Sequence, residues 1–519
     1  MLKKIIYLLI DIFLLSHIVS ADMSFNSIFM EYGRIMQLLG KNEGKTLNFH
    51  TYSSDLNYSI IESGPWKNVK IKDSIKETPS ISLSILSPAL WTSWNSASAW
   101  GGNDGAMWQG KGFNSVLSGG FEINNPHFSV RLYPEIWGAQ NLDINIIDTT
   151  SSSGYGDYWT VFDNLQRYGD EFYYDFSWGE SDVRFYWDSF TLGFSTESIV
   201  LGPGQVTNII LSNNAGGFPH FDMGTSEKMS VMNFGDFEFK AIWGFLEESE
   251  FFDDDSSNDY GWIAGTYVSW EPSFWKNFTF GFNHQYYKPL KDWDSLDIVR
   301  GVPFLDRSNL PGDTKDMMMS IPFYWLFPTI GFEFYGEWAR NDNFGNFEDL
   351  YKSPEHTQAF TIGINQIIKQ WDDNIIQLSL ELSTIEQERT REVRAAGPWY
   401  RHNFAGWTQG YTNKGQLLGA SIGPGSNSQW GKISWIRNER KTSFYTQRIA
   451  FDQDYYYSIA GNLDYNYFAE FNCGIEHLVF FDKFDLYSTL IYTFDYNYNY
   501  IDSIDKQNIH FEFGMKYHL

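Results

Sequence analysis

The chain has 519 residues, a formal net charge of -27, 19% aromatic residues and a single cysteine. One cysteine excludes an internal disulfide, and beyond the first residues no uninterrupted apolar run is long enough for a membrane helix. The longest candidate, Met317 to Ile330, is cut by Pro322 and Pro328, while 21 Trp, 32 Tyr and 44 Phe exceed what a soluble enzyme of this length needs.

The N-terminus reads as an export signal: Lys3 and Lys4, an apolar run from Ile5 to Val19 broken by Asp11, and small residues before a cut after Ala21. No cysteine near the cut offers a lipid anchor, since the one cysteine is Cys473. Phe25, Ile28, Phe29, Ile35, Met36, Leu38 and Leu39 recur at helical spacing, with Ser24 able to cap and Gly40 to stop the helix. The expected organisation is a signal over 1–21, a periplasmic helical segment over 22–78 and a barrel over 79–519.

From Ser80 onward short segments alternate apolar and polar residues. They are Ile81-Leu83-Ile85 between serines, Phe128–Leu132, Val183–Trp187, Phe278–Phe282, Ile330–Phe334, Ile376–Leu382 and Leu463–Tyr467. The last ten residues alternate fully, with Phe511, Phe513, Met515, Tyr517 and Leu519 against His510, Glu512, Gly514, Lys516 and His518. One face of such strands meets lipid and the other water, which keeps mean hydropathy low, here -0.36. At about 25 residues per strand and connection, the stretch from Ser80 makes about 16 to 18 strands of a transmembrane antiparallel β-barrel. Ser151 to Asp157, Phe251 to Asp259 and Pro289 to Asp316 read as extracellular loops. The Asp253, Asp254, Asp255 and Asp259 cluster does not fit an EF-hand spacing and reads as a solvated acidic loop.

Residues Arg389 to Arg448 stand apart. Ten cations (Arg389, Arg391, Arg394, Arg401, Lys414, Lys432, Arg437, Arg440, Lys441, Arg448) face only Glu392 and Glu439, a formal +8 within the -27 chain. Two Gly- and amide-rich segments, 410–416 and 423–429, lie in the same stretch and suit tight turns or contact with a polyol. Two readings are open: the cations hold an anionic polymer, or they pair with lumen carboxylates. Sugar polymers are held by aromatic faces, amides and cations that pair uronates. Candidates are Trp399, Trp407, Tyr411, Gln416, Asn427, Gln429 and Trp430 beside these arginines, and Trp91, Trp94, Trp100, Trp108, Asn103, Asp104 and Gln109 earlier. The competing reading assigns the tryptophans to interface girdles and the amides to turns. Asn213, Asn214 and His220 sit in a Gly/Pro-rich segment expected to fold inward and plug the lumen.

Several segments together resemble the Wzi-like capsule-assembly family of outer-membrane proteins. They are 31–40 (EYGRIMQLLG), 102–112 (GNDGAMWQGKG), 131–135 (RLYPE), 166–170 (QRYGD), 201–204 (LGPG) and 211–220 (LSNNAGGFPH), with the two Gly-rich segments after them. The resemblance implies an 18-stranded barrel with a small periplasmic helical part, lectin-like attachment or organisation of surface polysaccharide, and no catalytic residues. No zinc-protease, P-loop, Gly-x-Ser-x-Gly or dinucleotide motif appears, and carboxylate pairs such as Glu381 and Glu386 carry little signal among 64 acids. The expectation is a non-enzymatic monomer without metal or cofactor, partnered by acidic polysaccharide and outer-membrane lipid and by no nucleic acid. The alternative is a porin for anionic saccharides, the same cations lining an open channel.

Overall fold

The structure, a computed structural model, describes residues 25–41, 48–52, 64–67, 69, 73–78, 80–147, 162–253, 255–302, 314–341, 351–389, 397–401, 409–461 and 464–519. The alternating segments close into one antiparallel barrel of 18 strands, sealed where Lys506–Tyr517 pairs with Ser82–Asn95. Closure leaves no sheet edge open to pair with another chain.

Period-two alternation decides which side each residue takes. On the last strand Phe511, Met515 and Tyr517 face outward, while His510, Glu512 and Lys516 are buried inward. The same holds on Ser82–Asn95, where the serines at 84 and 93 point in. At one end the strands are joined by tight turns such as Arg437–Arg440 and Trp371–Asn374, at the other by long loops. In outer-membrane barrels short turns face the periplasm. Exposed rings crowd this short-turn end, with Trp275 stacked on Phe278 at 4.1 Å between ring centroids and set edge-on to Trp325. They form the girdle that aromatics prefer at a membrane interface.

Met317 to Ile330 falls in the strand Asp316–Phe327 and the turn after it. Pro322 has no N–H to give, and pairing with Phe278–Pro289 is interrupted there, Ser320 matching Asn283 and Phe323 matching Phe280. One strand expectation is corrected: in Leu463–Tyr467 the described residues 464–467 form a turn with a single bridge, Tyr465 to Ile501, and the strand starts at Ala469. The pattern there came from loop tyrosines of the kind that recur at 496–500. In Ile330–Phe334, the first two residues belong to a turn and the strand begins at Phe332. The Ser151–Asp157 loop and the Ser24 cap lie outside the described residues.

Helix α1 (Phe25–Leu38) ends as its sequence requires. Gly40 adopts φ 64, and Lys41 N donates to Met36 O while Gly40 N donates to Gln37 O, the paired bonds of a glycine-terminated helix. Phe25, Phe29, Tyr32 and Met36 pack on Trp66, Trp91 and Phe480, and the opposite face carries Glu31 and Arg34 into ion pairs with the wall. The helix therefore fills the short-turn mouth from inside.

Above it the lumen is filled by three segments knitted together. Phe49–Thr51 pairs with Ile199–Leu201 as an internal two-stranded sheet, and Ser212 N donates to Leu418 O. Ile199, Leu201, Ile209, Ile210, Trp399, Tyr400 and Tyr411 form an apolar core inside the polar lumen. Gly202 turns this plug at φ 102, and a Cβ there would lie 2.5 Å from Glu337 Oε2 of the wall. Only glycine fits that combination.

Candidate site: a polar chamber at the long-loop end

The connection between Ser82–Asn95 and Gly112–Asn125 folds back over the plug. Gly105 N donates to Asn213 O at 2.8 Å, Asn213 Nδ2 to Asn103 O at 3.0 Å, and Asn103 Nδ2 to Val206 O at 3.1 Å. Asn103 reaches this position in a left-handed conformation, φ 61, which asparagine tolerates better than most residues. Gln416 Nε2 completes the seam by donating to the carbonyls of Gly105 and Ala106.

Above the seam lies a cavity of about 310 Å³, walled by Trp100, Trp108, Asn164, Gln166, Gln416 and Gln447 among others. Below it a cavity of about 170 Å³ lies between the plug and α1, with Glu31, Trp430, Lys432, Lys441 and Glu476 in its walls. Gly102, Asn103 and Val206 touch both, so the seam is the floor of one chamber and the roof of the other.

The two chambers differ in charge. In the lower one Lys432 Nζ sits 3.0 Å from both Glu31 Oε1 and Glu476 Oε1, and Lys441 is 2.9 Å from Glu476 Oε2 and bonded to Glu31 Oε2. Burial alone would raise the Glu31 carboxyl; Lys432 and Lys441 more than reverse this and hold it at about 2. The upper chamber has carboxylates at Asp104, Asp452, Glu470 and Asp495, and no Lys, Arg or His among the described residues that line it. Amides, rings and carboxylates without a nucleophile–base arrangement are suited to holding a polyol.

A family model described as capsule assembly protein Wzi matches residues 145–456, more than half of the sequence. The chain belongs to the Wzi capsule-assembly family. Among curated proteins no relative matches. Among solved structures, Wzi of Escherichia coli, an outer-membrane protein involved in group 1 capsule assembly and described as a carbohydrate-binding β-barrel, is 12% identical. It superposes at TM-score 0.59 over 97% of this chain and 100% of its own. At that identity the likeness shows the fold. Pseudomonas aeruginosa OprD (8% identity, 88% and 97% coverage, TM-score 0.41) and Acinetobacter baumannii OccAB3 (8%, 83% and 98%, 0.42) are more distant barrels. The chain is an outer-membrane barrel of the Wzi fold.

Within this family member the candidates named from sequence separate. Trp108, Gln416, Asn103, Asp104 and Trp100 line the upper chamber, and Asn214 lines it from the plug. Gln109 also lines it but is anchored downward, accepting from Ser93 Oγ and donating to Glu512 Oε1 at 3.2 Å. Asn213 holds the seam from the plug. Several expectations are corrected. Trp399 and Tyr411 are fully buried in the plug core, out of reach of any polymer. Trp91 is packed against Phe25 and Tyr487 at the helix. Trp430 points into the lower chamber. Asn427 and Gln429 lie on the outward face, where both side-chain oxygens accept from Arg448 Nη1. Arg401 is buried in an ion pair with Asp452, Nη2 to Oδ2 at 2.5 Å. His220 belongs to the wall strand His220–Thr225, facing the lumen beside the plug.

Of the ten cations, Lys432, Lys441 and Arg401 thus pair with carboxylates inside the barrel, as the second sequence reading held. Arg389 stays partly exposed at the long-loop end, 3.2 Å from Glu386 and 3.7 Å from the Tyr457 ring centroid. Arg391, Arg394 and Trp407 lie outside the described residues. Missed entirely were Glu470, Asp495 and Tyr498–Tyr500, which reach the chamber from the C-terminal strands and their loop. The asparagines of 497–500 were the available signal: Asn497 and Asn499 take left-handed φ values of 51 and 56, making a compact knot whose aromatic rings turn inward.

Proposed function

We propose that the chain is a non-enzymatic lectin of the outer membrane, binding capsular or related polysaccharide in the upper chamber and helping to assemble it at the cell surface. The observation that carries this reading is the chamber itself, lined by rings and amides at the long-loop end and floored by the Asn103–Val206 seam. Trp100, Trp108 and Gln416 are its proposed sugar contacts. Of the expected periplasmic part, 22–78, α1 closes the periplasmic mouth from inside, Phe49–Thr51 joins the plug and Asp73–Glu77 pairs with the barrel strand Ser82–Asn95; the chain works as a monomer in contact with outer-membrane lipid. An acidic polymer would place its uronates on the rim, where Arg389 is exposed and where Arg391 and Arg394 follow in sequence.

A lumen occupied by α1 and the plug disfavours the porin alternative. The test is single-channel recording of the purified protein in a planar bilayer, paired with calorimetric titration by capsular polysaccharide. A quiet barrel that binds polysaccharide, with Trp100→Ala weakening binding, is the expected result. A large steady current without polysaccharide binding would overturn the reading in favour of a channel.

A further inference from the structure

We infer that the upper chamber selects a sugar ring that presents hydrogen-bond donors and no carboxylate, best an amino sugar, and takes its donors on the Glu470–Asp495 pair. This rests on the chamber being the polysaccharide site. It goes further by dividing the polymer between two places, with acidic groups on the rim and donor-rich rings inside.

Glu470 and Asp495 lie directly opposite each other on adjacent strands, their carboxyls placed to share one proton. Glu470 Oε1 is already occupied by Trp100 Nε1 at 3.0 Å and Asn472 Nδ2 at 2.6 Å. Asp495 is 1% exposed and lines the chamber, yet its Oδ1 accepts no hydrogen bond among the described residues. A buried carboxylate oxygen without a donor is costly, and a ligand that brings one recovers that cost. The other wall carboxylates are engaged: Asp452 by Arg401, and Asp104 by Gly102 N at 2.6 Å.

The cations beside these walls lie outside the lining, Arg401 held on Asp452. Lys506, paired in register with Asp495, holds its Nζ 4.0 Å from the centroid of the Tyr498 ring and is not among the lining residues. Among the described residues, a uronate entering the chamber would therefore meet carboxylates and no cation in the lining. A hydroxyl pair or an ammonium would meet acceptors in a poorly screened setting. A divalent cation is a weaker occupant, because among the described residues no group of three acidic, His or Cys side chains is placed to hold one. Rings at Trp100, Trp108 and Tyr498 supply the apolar contact a pyranose needs. The volume lies at the low end of the roughly 300 to 1,000 Å³ usual for ligand pockets, which suits a short saccharide unit.

The test titrates the full chain in detergent with a glucosamine tetramer and a galacturonate tetramer, reading tryptophan fluorescence and calorimetry. It is repeated on Asp495→Asn and Glu470→Gln, each shown to be folded by heat-modifiable gel mobility. The expected result is at least about tenfold tighter binding of the glucosamine tetramer, a preference that Asp495→Asn or Glu470→Gln abolishes. Equal or tighter binding of galacturonate, or a preference intact in both variants, would overturn the inference. Binding of whole polysaccharide with no response to either tetramer would overturn the chamber's selectivity while leaving lectin function standing; no binding of polysaccharide at all would remove the function itself.

Discussion

Arg34 of α1 and Glu333 of the barrel wall meet as a two-pronged ion pair, Nε to Oε2 at 2.9 Å and Nη2 to Oε1 at 3.0 Å. Arg34 Nη1 also donates to Pro203 O at 2.7 Å, so one guanidinium joins helix, wall and plug. Both partners are buried, and removing one leaves the other charge uncompensated. Glu333→Gln should therefore cost about 3 to 5 kcal/mol. Heat-modifiable gel mobility should show earlier unfolding, and bilayer recording should show intermittent conductance as the mouth opens. An unchanged transition would mean that the pair does not hold the plug.

A second anchor lies at Glu381, whose carboxylate accepts the backbone N–H groups of Gln205 (2.6 Å), Val206 (3.2 Å) and Thr207 (2.8 Å). Tyr335 Oη donates to it as well, at 2.9 Å. Glu381→Ala strands three donors, each worth about 1 to 3 kcal/mol when buried and unmade. The prediction is faster hydrogen exchange at the amides of 205–207 with the barrel strands unaffected. Exchange at the wild-type rate would show that another group holds the turn.

The rim should respond to pH through Asp454 on α2 (Gln453–Ile459), whose carboxyl accepts Gln387 N at 3.1 Å on both oxygens. Burial, and then Asp452 beside it, push this carboxyl up to about 7. Because the folded state keeps the proton that the unfolded chain loses near pH 4, the contribution is complete below that value and fades as pH rises to 7. Amide exchange across α2, corrected for intrinsic rate, should quicken over that window in the native chain. In Asp454→Asn it should stay level, and a level native profile would contradict the assignment.

The outward face makes a depth-dependent prediction. Leu380, midway along Asn374–Thr384 and exposed beside Ile364 and Gly431, is placed to meet the bilayer core. Leu380→Arg should cost about 2 to 4 kcal/mol in lipid vesicles, whereas Trp187→Arg at the short-turn end should cost about 1 kcal/mol or less. Equal costs at the two positions would place the membrane elsewhere on the barrel.

Period-two alternation made the barrel legible, because inward and outward sides follow from each strand alone. Phe128–Leu132 and the C-terminal strand fall where their patterns place them. Charge was legible as a sum and not as an arrangement. Lys432 and Lys441 lie in the basic stretch, but the carboxylates that neutralise them come from α1 and from the strand Ala469–Phe480, far along the chain. Side decided the rest: on one strand Trp430 and Lys432 turn into the lumen while Gln429 and Trp435 turn out. The chamber was half visible, since 98–109 carries its own cluster of rings and amides. Glu470 and Asp495 join it only because barrel closure brings the last strands beside the first.

The most direct measurement is a structure of the full chain in a lipid nanodisc with an oligosaccharide cut from the polymer it assembles. The account predicts sugar density in the upper chamber, in contact with Trp100, Gln416 and Asp495, above an unmoved Asn103–Val206 seam. Sugar threaded through an opened lumen in place of the plug, or bound only on the outside of the barrel, would contradict it.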